Sequence, residues 1–147
     1  MQLYGSQLVR IPPEIGEMKS LEVFTPYTSY SLHWFPYEIT RCTNLKESTV
    51  STKALYGNYK YRPPFPSLKG NPIEFVHPAK CSICSKPAGE RGLNQVWVSL
   101  RVATDILPLL VHTCSKECCE KVPSGAEGYI SKTHKGGLGL NQPKMEW

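Results

Sequence analysis

A chain of 147 residues is the size of one ordinary domain or two very small ones, which excludes a large multidomain enzyme. Its 40% hydrophobic and 10% aromatic content is that of a folded protein, while 13 proline and 11 glycine residues leave little room for long helices. The net charge of +5 permits contact with nucleic acid but is also a common solubility charge. The composition therefore predicts a small folded protein of short elements rather than a helical bundle.

The sequence carries no recognisable targeting or membrane signal. Residues 1–10 lack the basic and then apolar run of a signal peptide, and the most apolar stretch, residues 106–111, contains Pro108 and is too short to span a bilayer. We therefore expect a cytoplasmic protein that does not contact a membrane. In a reducing compartment, closely spaced cysteine pairs are more typical of metal ligands than of disulfides.

The first half of the chain repeats itself at an offset of 24 residues. Residues 8–15 align with residues 32–39, and Leu21 then falls on Leu45. This pattern of Leu, an apolar residue with Pro, Glu-Ile and Leu resembles leucine-rich repeats, whose units stack into a curved solenoid. The resemblance implies short parallel strands that begin at Leu21 and Leu45.

Three further positions of the repeat have packing interpretations. Ile15 and Ile39 begin the return segments of the two units, and we expect both side chains to face the core. Cys42 falls on Met18, which we interpret as a buried packing position. Cys42 is therefore predicted to be a core thiol rather than a metal ligand.

The second half of the chain carries two closely spaced cysteine pairs. Two residues separate Cys81 from Cys84, and Cys114 and Cys118 follow 30 positions later. Two close pairs at this separation are typical of zinc sites. A closed site of four cysteines leaves no coordination position for water, so we expect one structural Zn2+ rather than a catalytic ion.

The residues between and after the pairs predict the scaffold of this site. Residues 95–102 alternate between Val or Leu and other residues, which predicts a half-buried strand followed by a turn and a second strand over 106–113. One or two helical turns should follow Cys114. Because positions i and i+4 share a helix face, Cys118 is favoured as the fourth ligand, with His112 and Cys119 as alternatives.

A C-x2-C segment, a hairpin and a helix with two more cysteines resemble the treble-clef zinc fingers over about residues 78–122. That resemblance implies structure more than function, since treble clefs serve nucleic-acid, protein and enzyme roles.

The predicted fold class is α+β, with a short leucine-rich-repeat solenoid over residues 1–68, a Pro-rich linker over 69–77, a treble-clef-like zinc module over 78–124 and a tail over 125–147. We expect the two modules to share one core, because neither can bury its apolar face alone.

Common catalytic motifs such as G-x-S-x-G, the P-loop and His-Glu-x-x-His do not occur in the sequence. We therefore expect a non-catalytic protein that binds another protein. A nucleic-acid-binding zinc protein is the alternative, and a hydrolase with unrecognised active groups comes third.

In a solenoid the residues between buried Leu positions form a concave face, which has mixed charges here and predicts a protein-binding surface. Its residues are Glu22, Val23, Thr25, Lys46, Glu47 and Thr49.

Overall fold

The computed structural model of the chain describes residues 13–24, 33–47, 55–57, 65–69, 80–87, 93–103, 105–126 and 129–137. Regular structure in these ranges consists of short 3-10 helices, three strands and one short α-helix. In chain order the elements are the first 3-10 helix Pro13–Glu17, strand β1 Phe35–Pro36, the second 3-10 helix Tyr37–Arg41, strands β2 Asn94–Val102 and β3 Asp105–Thr113, and helix α1 Lys116–Glu120. Among the described residues, none of the helices has the length and apolar character needed to cross a membrane.

Strands β2 and β3 form the predicted hairpin. They pair antiparallel over their whole length, from Asn94 opposite Thr113 to Val102 opposite Asp105. The two strands and their order are confirmed. The prediction that β2 is half-buried is wrong, because residues 95–99 are all buried and apolar side chains cover both faces of the hairpin.

The third strand comes from the first half of the chain. In β1, Phe35 lies opposite Leu109 and Pro36 opposite Leu110, so that β1 runs parallel to β3 and the strand order is β1-β3-β2. The result is a small three-stranded mixed sheet with little helix. Parallel strands need a long connection, and residues 37–104, which include β2, form the connection between β1 and β3.

The predicted α+β fold class, a leucine-rich-repeat solenoid fused to a treble-clef-like module, is therefore wrong. Within the described ranges, residues 21–24 and 45–47 pair only through the parallel bridge between Val23 and Glu47, whereas a solenoid needs a ladder that continues across its repeats. Moreover, the strand that does extend a sheet, β1, pairs with β3 of the hairpin, the strand that Cys114 directly follows. The first half thus completes the sheet of the second half.

The repeat nevertheless corresponds to two equivalent local structures. The two 3-10 helices start 24 residues apart and pack closely, since a Cβ on Gly16 would lie 2.8 Å from the Glu38 carbonyl oxygen. Ile15 and Ile39 are both buried, as predicted.

Burial is not equivalent at every repeated position, however. Cys42 is buried, which confirms the prediction, and its Sγ donates to the Ile15 carbonyl oxygen over 3.1 Å. Met18, at the equivalent position, is 39% exposed, so its predicted burial is wrong. The sequence repeat therefore predicts the local backbone conformation here, but it does not predict which of the repeated side chains are buried.

One hydrophobic core joins the two halves of the chain, which confirms that they share a core. On one face of the sheet, the 3-10 segments pack against the hairpin; the buried residues include Ile15, Leu21, Phe24, Phe35, Ile39, Val96, Val98, Val102, Leu107, Leu109 and Val111. On the other face, Trp97 and Leu110 pack against Trp34, Phe65 and Leu68. The hairpin that lies between the two cysteine pairs in sequence is therefore enclosed on both faces.

Part of the outer edge of β2 is covered by the segment that contains His134. The backbone N–H of Trp97 donates to the His134 carbonyl oxygen over 2.7 Å, and the His134 N–H donates back to Trp97 over 3.1 Å. Farther along, the Gly137 N–H donates to the Phe65 carbonyl oxygen. This segment thus satisfies backbone groups that an edge strand would otherwise leave unpaired.

Candidate metal centre

A tight turn brings the first cysteine pair together. Lys80 and Pro87 form an antiparallel bridge, and inside it the Cys81 N–H donates to the Lys86 carbonyl oxygen over 2.9 Å. The Ser85 N–H donates back to the Cys81 carbonyl oxygen over 3.0 Å, with Ser85 at a φ of 66°. We call residues 80–87 the knuckle. Its turn places the two cysteine side chains on the same side of a compact loop.

The second pair is positioned by the end of β3 and the start of α1. Cys114 directly follows β3, and Ser115 caps α1, its hydroxyl oxygen accepting from the Cys118 N–H over 3.2 Å. This cap satisfies one of the unpaired N–H groups of the first helical turn. It also fixes Cys118 in the first turn of α1, where its Sγ lies 3.7 Å from the Sγ of Cys114.

The four predicted ligands, Cys81, Cys84, Cys114 and Cys118, converge at one point, where their Sγ atoms all lie within 4.8 Å of one another. The Sγ atoms of Cys84 and Cys114 are 3.4 Å apart. Four sulfurs bound tetrahedrally to zinc at about 2.3 Å would be separated by about 3.8 Å. The arrangement can therefore hold one metal ion with little movement.

The cluster is partly open to solvent. Cys81 and Cys118 are buried, whereas Cys84 and Cys114 are exposed. Although burial by itself would raise the pKa of Cys81, backbone N–H groups of Cys84, Ile83 and Cys114 directed at its sulfur lower that pKa, whereas the adjacent Cys84 sulfur raises the pKa of Cys114. Because a metal binds the thiolate, a sulfur surrounded by N–H donors is already suited to coordination.

The structure does not bring the two alternative fourth ligands into the cluster. Cys119 Sγ instead lies 3.6 Å from Thr133 Oγ1. His112 is buried, and its Nε2 lies 3.0 Å from the side-chain nitrogen of Gln95. Burial also lowers the pKa of His112 to about 4, which keeps the ring neutral. Cys118 is therefore the residue that completes the group of four.

Sequence reasoning missed a set of contacts from the second 3-10 helix to the knuckle. Ser82 lies between the first two cysteines, and its hydroxyl donates to Glu38 Oε1 over 2.6 Å. Arg41 Nη2 donates to the Ser82 carbonyl oxygen over 2.7 Å. Glu38 and Arg41 belong to the repeat, where no spacing or motif connects them to the cysteines. Only the tertiary fold shows this connection.

The proposed partner-binding residues lie only partly within the described ranges. Glu22 and Lys46 are exposed and form an ion pair of 3.8 Å, and the N–H groups of Lys46 and Glu47 both donate to the Glu22 carbonyl oxygen. Val23 is 36% exposed beside them. Thr25 and Thr49 lie outside the described residues. Four of the six predicted residues are thus brought side by side at the surface.

Comparison of the chain with protein-family models, with curated proteins and with solved structures gives no significant match. The resemblances to leucine-rich repeats and to treble-clef fingers consequently have no support from relatives. The interpretation of the site rests on its own geometry and donor set.

Proposed function

We propose that this protein is a non-catalytic protein-interaction module whose fold is stabilised by one structural Zn2+ ion bound to Cys81, Cys84, Cys114 and Cys118. The observation that carries the proposal is the convergence of these four sulfurs within 4.8 Å. Four thiolates fill the tetrahedral coordination of zinc and leave no position for a reacting water. A reducing compartment such as the cytoplasm would keep the four thiols available.

A metal ion at this point would cross-link elements that are weak alone. Helix α1 has five residues, far fewer than a helix needs for stability by itself in water. The knuckle is likewise a short loop. Structural zinc sites have apparent binding free energies of about 10 to 16 kcal/mol, comparable to or larger than the stability of a typical small domain. Loss of the metal should therefore unfold the cysteine-bearing half and weaken the shared core.

The test compares two buried cysteines, one inside the cluster and one outside it. Cys81→Ser should lose the metal and give insoluble or disordered protein. Cys42→Ser should bind metal like the unmodified protein, because Cys42 belongs to the core and its hydroxyl replacement can still donate to the Ile15 carbonyl oxygen. Equal metal content and equal stability in the two variants would refute the structural role of the cluster.

For the interaction surface we propose the exposed residues Glu22, Val23, Lys46 and Glu47, together with Thr25 and Thr49. The described part of this surface carries both signs of charge around the ion pair of Glu22 and Lys46. Alternating charges favour a partner with a complementary pattern, whereas a phosphate backbone requires a surplus of positive charge.

Charge reversal tests this surface without disturbing the core. Lys46→Glu with Glu47→Lys should weaken binding to a partner purified by affinity capture by at least about tenfold, because rim charges set partner specificity. The exchange of Glu22→Lys with Lys46→Glu is the matched control for stability, since it preserves an exposed ion pair worth little by itself. Unchanged affinity in both double variants would exclude this face as the binding surface.

Nucleic-acid binding is the second candidate function. It is favoured by exposed lysines close in sequence to the four cysteines, namely Lys80, Lys86, Lys116 and Lys121. These cations can also offset the net charge of about −2 of a Zn2+ ion with four thiolates. Salt dependence separates the two candidates, because affinity for nucleic acid falls steeply as salt displaces phosphate contacts.

A further inference from the structure

Ser82 is the point at which three elements of the structure meet. Its N–H donates to the His112 carbonyl oxygen over 2.7 Å, and its hydroxyl oxygen accepts from the His112 N–H over 3.0 Å. The same hydroxyl donates to Glu38, and the Ser82 carbonyl oxygen accepts from Arg41. Every polar group of this residue, which is 2% exposed, is therefore bonded either to β3 or to the second 3-10 helix.

Glu38 is buried at a position where the repeat itself does not require burial. Glu14 occupies the equivalent position of the first 3-10 helix and is exposed, whereas Glu38 is only 5% exposed. Glu38 Oε1 accepts from Ser82, but Oε2 has no hydrogen-bond partner among the described residues. Burying a carboxyl group with an unpaired oxygen costs free energy. Its burial at this cost is explained by the bond that it makes to Ser82.

Arg41 holds the same loop from a second side. One guanidinium nitrogen, Nη2, donates to the Ser82 carbonyl oxygen over 2.7 Å and to Ser85 Oγ over 3.3 Å. Ser82 and Ser85 lie on either side of Cys84 in the sequence. The guanidinium therefore spans the turn that presents Cys84, while Glu38 fixes the residue that follows Cys81.

We propose that Glu38 and Arg41 are positioning residues of the metal centre, which hold Ser82 so that metal binding by the cysteines depends on the second 3-10 helix. This inference rests on the proposed function, since it requires that the cluster binds a metal. The coupling acts over a large sequence separation, because Glu38 and Ser82 are 44 positions apart. Metal affinity and the order of the first half are then linked in both directions.

The test measures metal binding by the full chain. Zinc affinity is determined by competition with a chromophoric chelator, and the geometry of the site is determined from the visible absorption of the Co2+-substituted protein. Residues that orient metal ligands typically change metal affinity by about 10- to 100-fold when they are replaced. Glu38→Ala should weaken zinc binding by this factor and shift the Co2+ bands. Glu38→Gln should recover part of the loss, because its Oε1 can still accept from Ser82.

Glu14→Ala is the matched control, because it removes a carboxyl group from the equivalent but exposed position. It should leave zinc affinity and the Co2+ spectrum unchanged. If the unmodified protein binds neither Zn2+ nor Co2+, the proposed function itself is wrong. If it binds both and Glu38→Ala matches Glu14→Ala in affinity and spectrum, the metal centre stands and the positioning role is refuted.

Should Glu38→Ala fail to fold even with excess zinc, Arg41→Lys decides the question. Arg41 is only partly buried, and lysine keeps the charge but cannot donate to Ser82 and Ser85 with a planar guanidinium group. The expected result is zinc release at least tenfold faster than in the unmodified protein. Release at the unmodified rate would overturn the inference.

Discussion

Phe35 is the residue whose removal tests most severely whether the two halves of the chain form one structure. Its side chain is fully buried in the shared core, its backbone lies opposite Leu109 of β3, and its ring forms a T-shaped pair with that of Phe24 at a centroid distance of 5.9 Å. An aromatic side chain buries about 150 to 250 Å², which at about 25 cal/mol per Å² corresponds to about 4 to 6 kcal/mol. Measured Phe→Ala changes in cores cost about 3 to 5 kcal/mol.

We therefore expect Phe35→Ala to lower the free energy of unfolding by about 3 to 5 kcal/mol with zinc present throughout. The assay is urea unfolding followed by amide NMR signals from each half, Ile39 in the second 3-10 helix and Val98 in β2. Both signals should be lost in one transition, displaced equally to lower urea, because both residues lie in the same core cluster. Met18→Ala is the control, with an expected change below about 1 kcal/mol for a partly exposed side chain.

Two results would refute this reasoning. In the first, the transition of Ile39 moves to lower urea while that of Val98 stays in place. In the second, limited proteolysis between residues 69 and 78 releases two fragments that are each stably folded. Either result would show that the halves are separate domains that merely touch.

Three further predictions concern other parts of the structure. Cys42→Ala should lower the free energy of unfolding by only about 1 to 2 kcal/mol in thermal unfolding, with zinc content unchanged, because Cys42 is a core residue. Loss of zinc in this variant would contradict the prediction. Gly136→Ala should lower the free energy of unfolding by about 1 to 3 kcal/mol, because φ at this residue is +73° and a Cβ would clash with the Pro66 carbonyl oxygen. An unchanged midpoint of urea unfolding would contradict this prediction. Burial lowers the pKa of His134 from 6.5 to about 4, and its Nδ1 accepts from the Gly136 N–H. Between these two pH values the unfolded state therefore binds more protons than the folded state. The free energy of unfolding should fall by about 1 to 2 kcal/mol as the pH drops from 6.5 to 4. An NMR titration of the His134 ring with a midpoint at or above 6.5 would contradict the last prediction.

The parts of the structure that the sequence predicts well are those decided by neighbouring residues. Alternation of apolar residues predicts β2 and β3, and the spacing of two cysteine pairs predicts which four sulfurs converge. The i, i+4 relation also predicts Cys118 as the fourth sulfur, although Cys114 itself precedes the N-cap of α1. Short-range geometry is sufficient for each of these features.

The solenoid is mispredicted because a repeat does not determine which strands pair. Residues such as Phe35 satisfy a leucine-rich-repeat pattern and a mixed sheet equally well, and the outcome depends on pairing with Leu109 of β3, far along the chain. The burial of Glu38 is unpredictable for the same reason. Its counterpart Glu14 shares with it the proline two positions earlier and the isoleucine directly after, but among the described residues the bond to Ser82 is made by Glu38 and not by Glu14. That difference arises from contacts between residues far apart in the sequence.

Native mass spectrometry of the purified chain shows directly whether the four cysteines hold one metal ion. The expected mass is that of the chain with one zinc ion and without disulfides. The ion should be lost in Cys81→Ser but kept in Cys42→Ala. The four sulfurs that lie within 4.8 Å should be alkylated rapidly only after a chelator has removed the metal. A folded chain that carries substantially less than one zinc ion, or that has disulfides between the two cysteine pairs, would contradict the proposed metal centre.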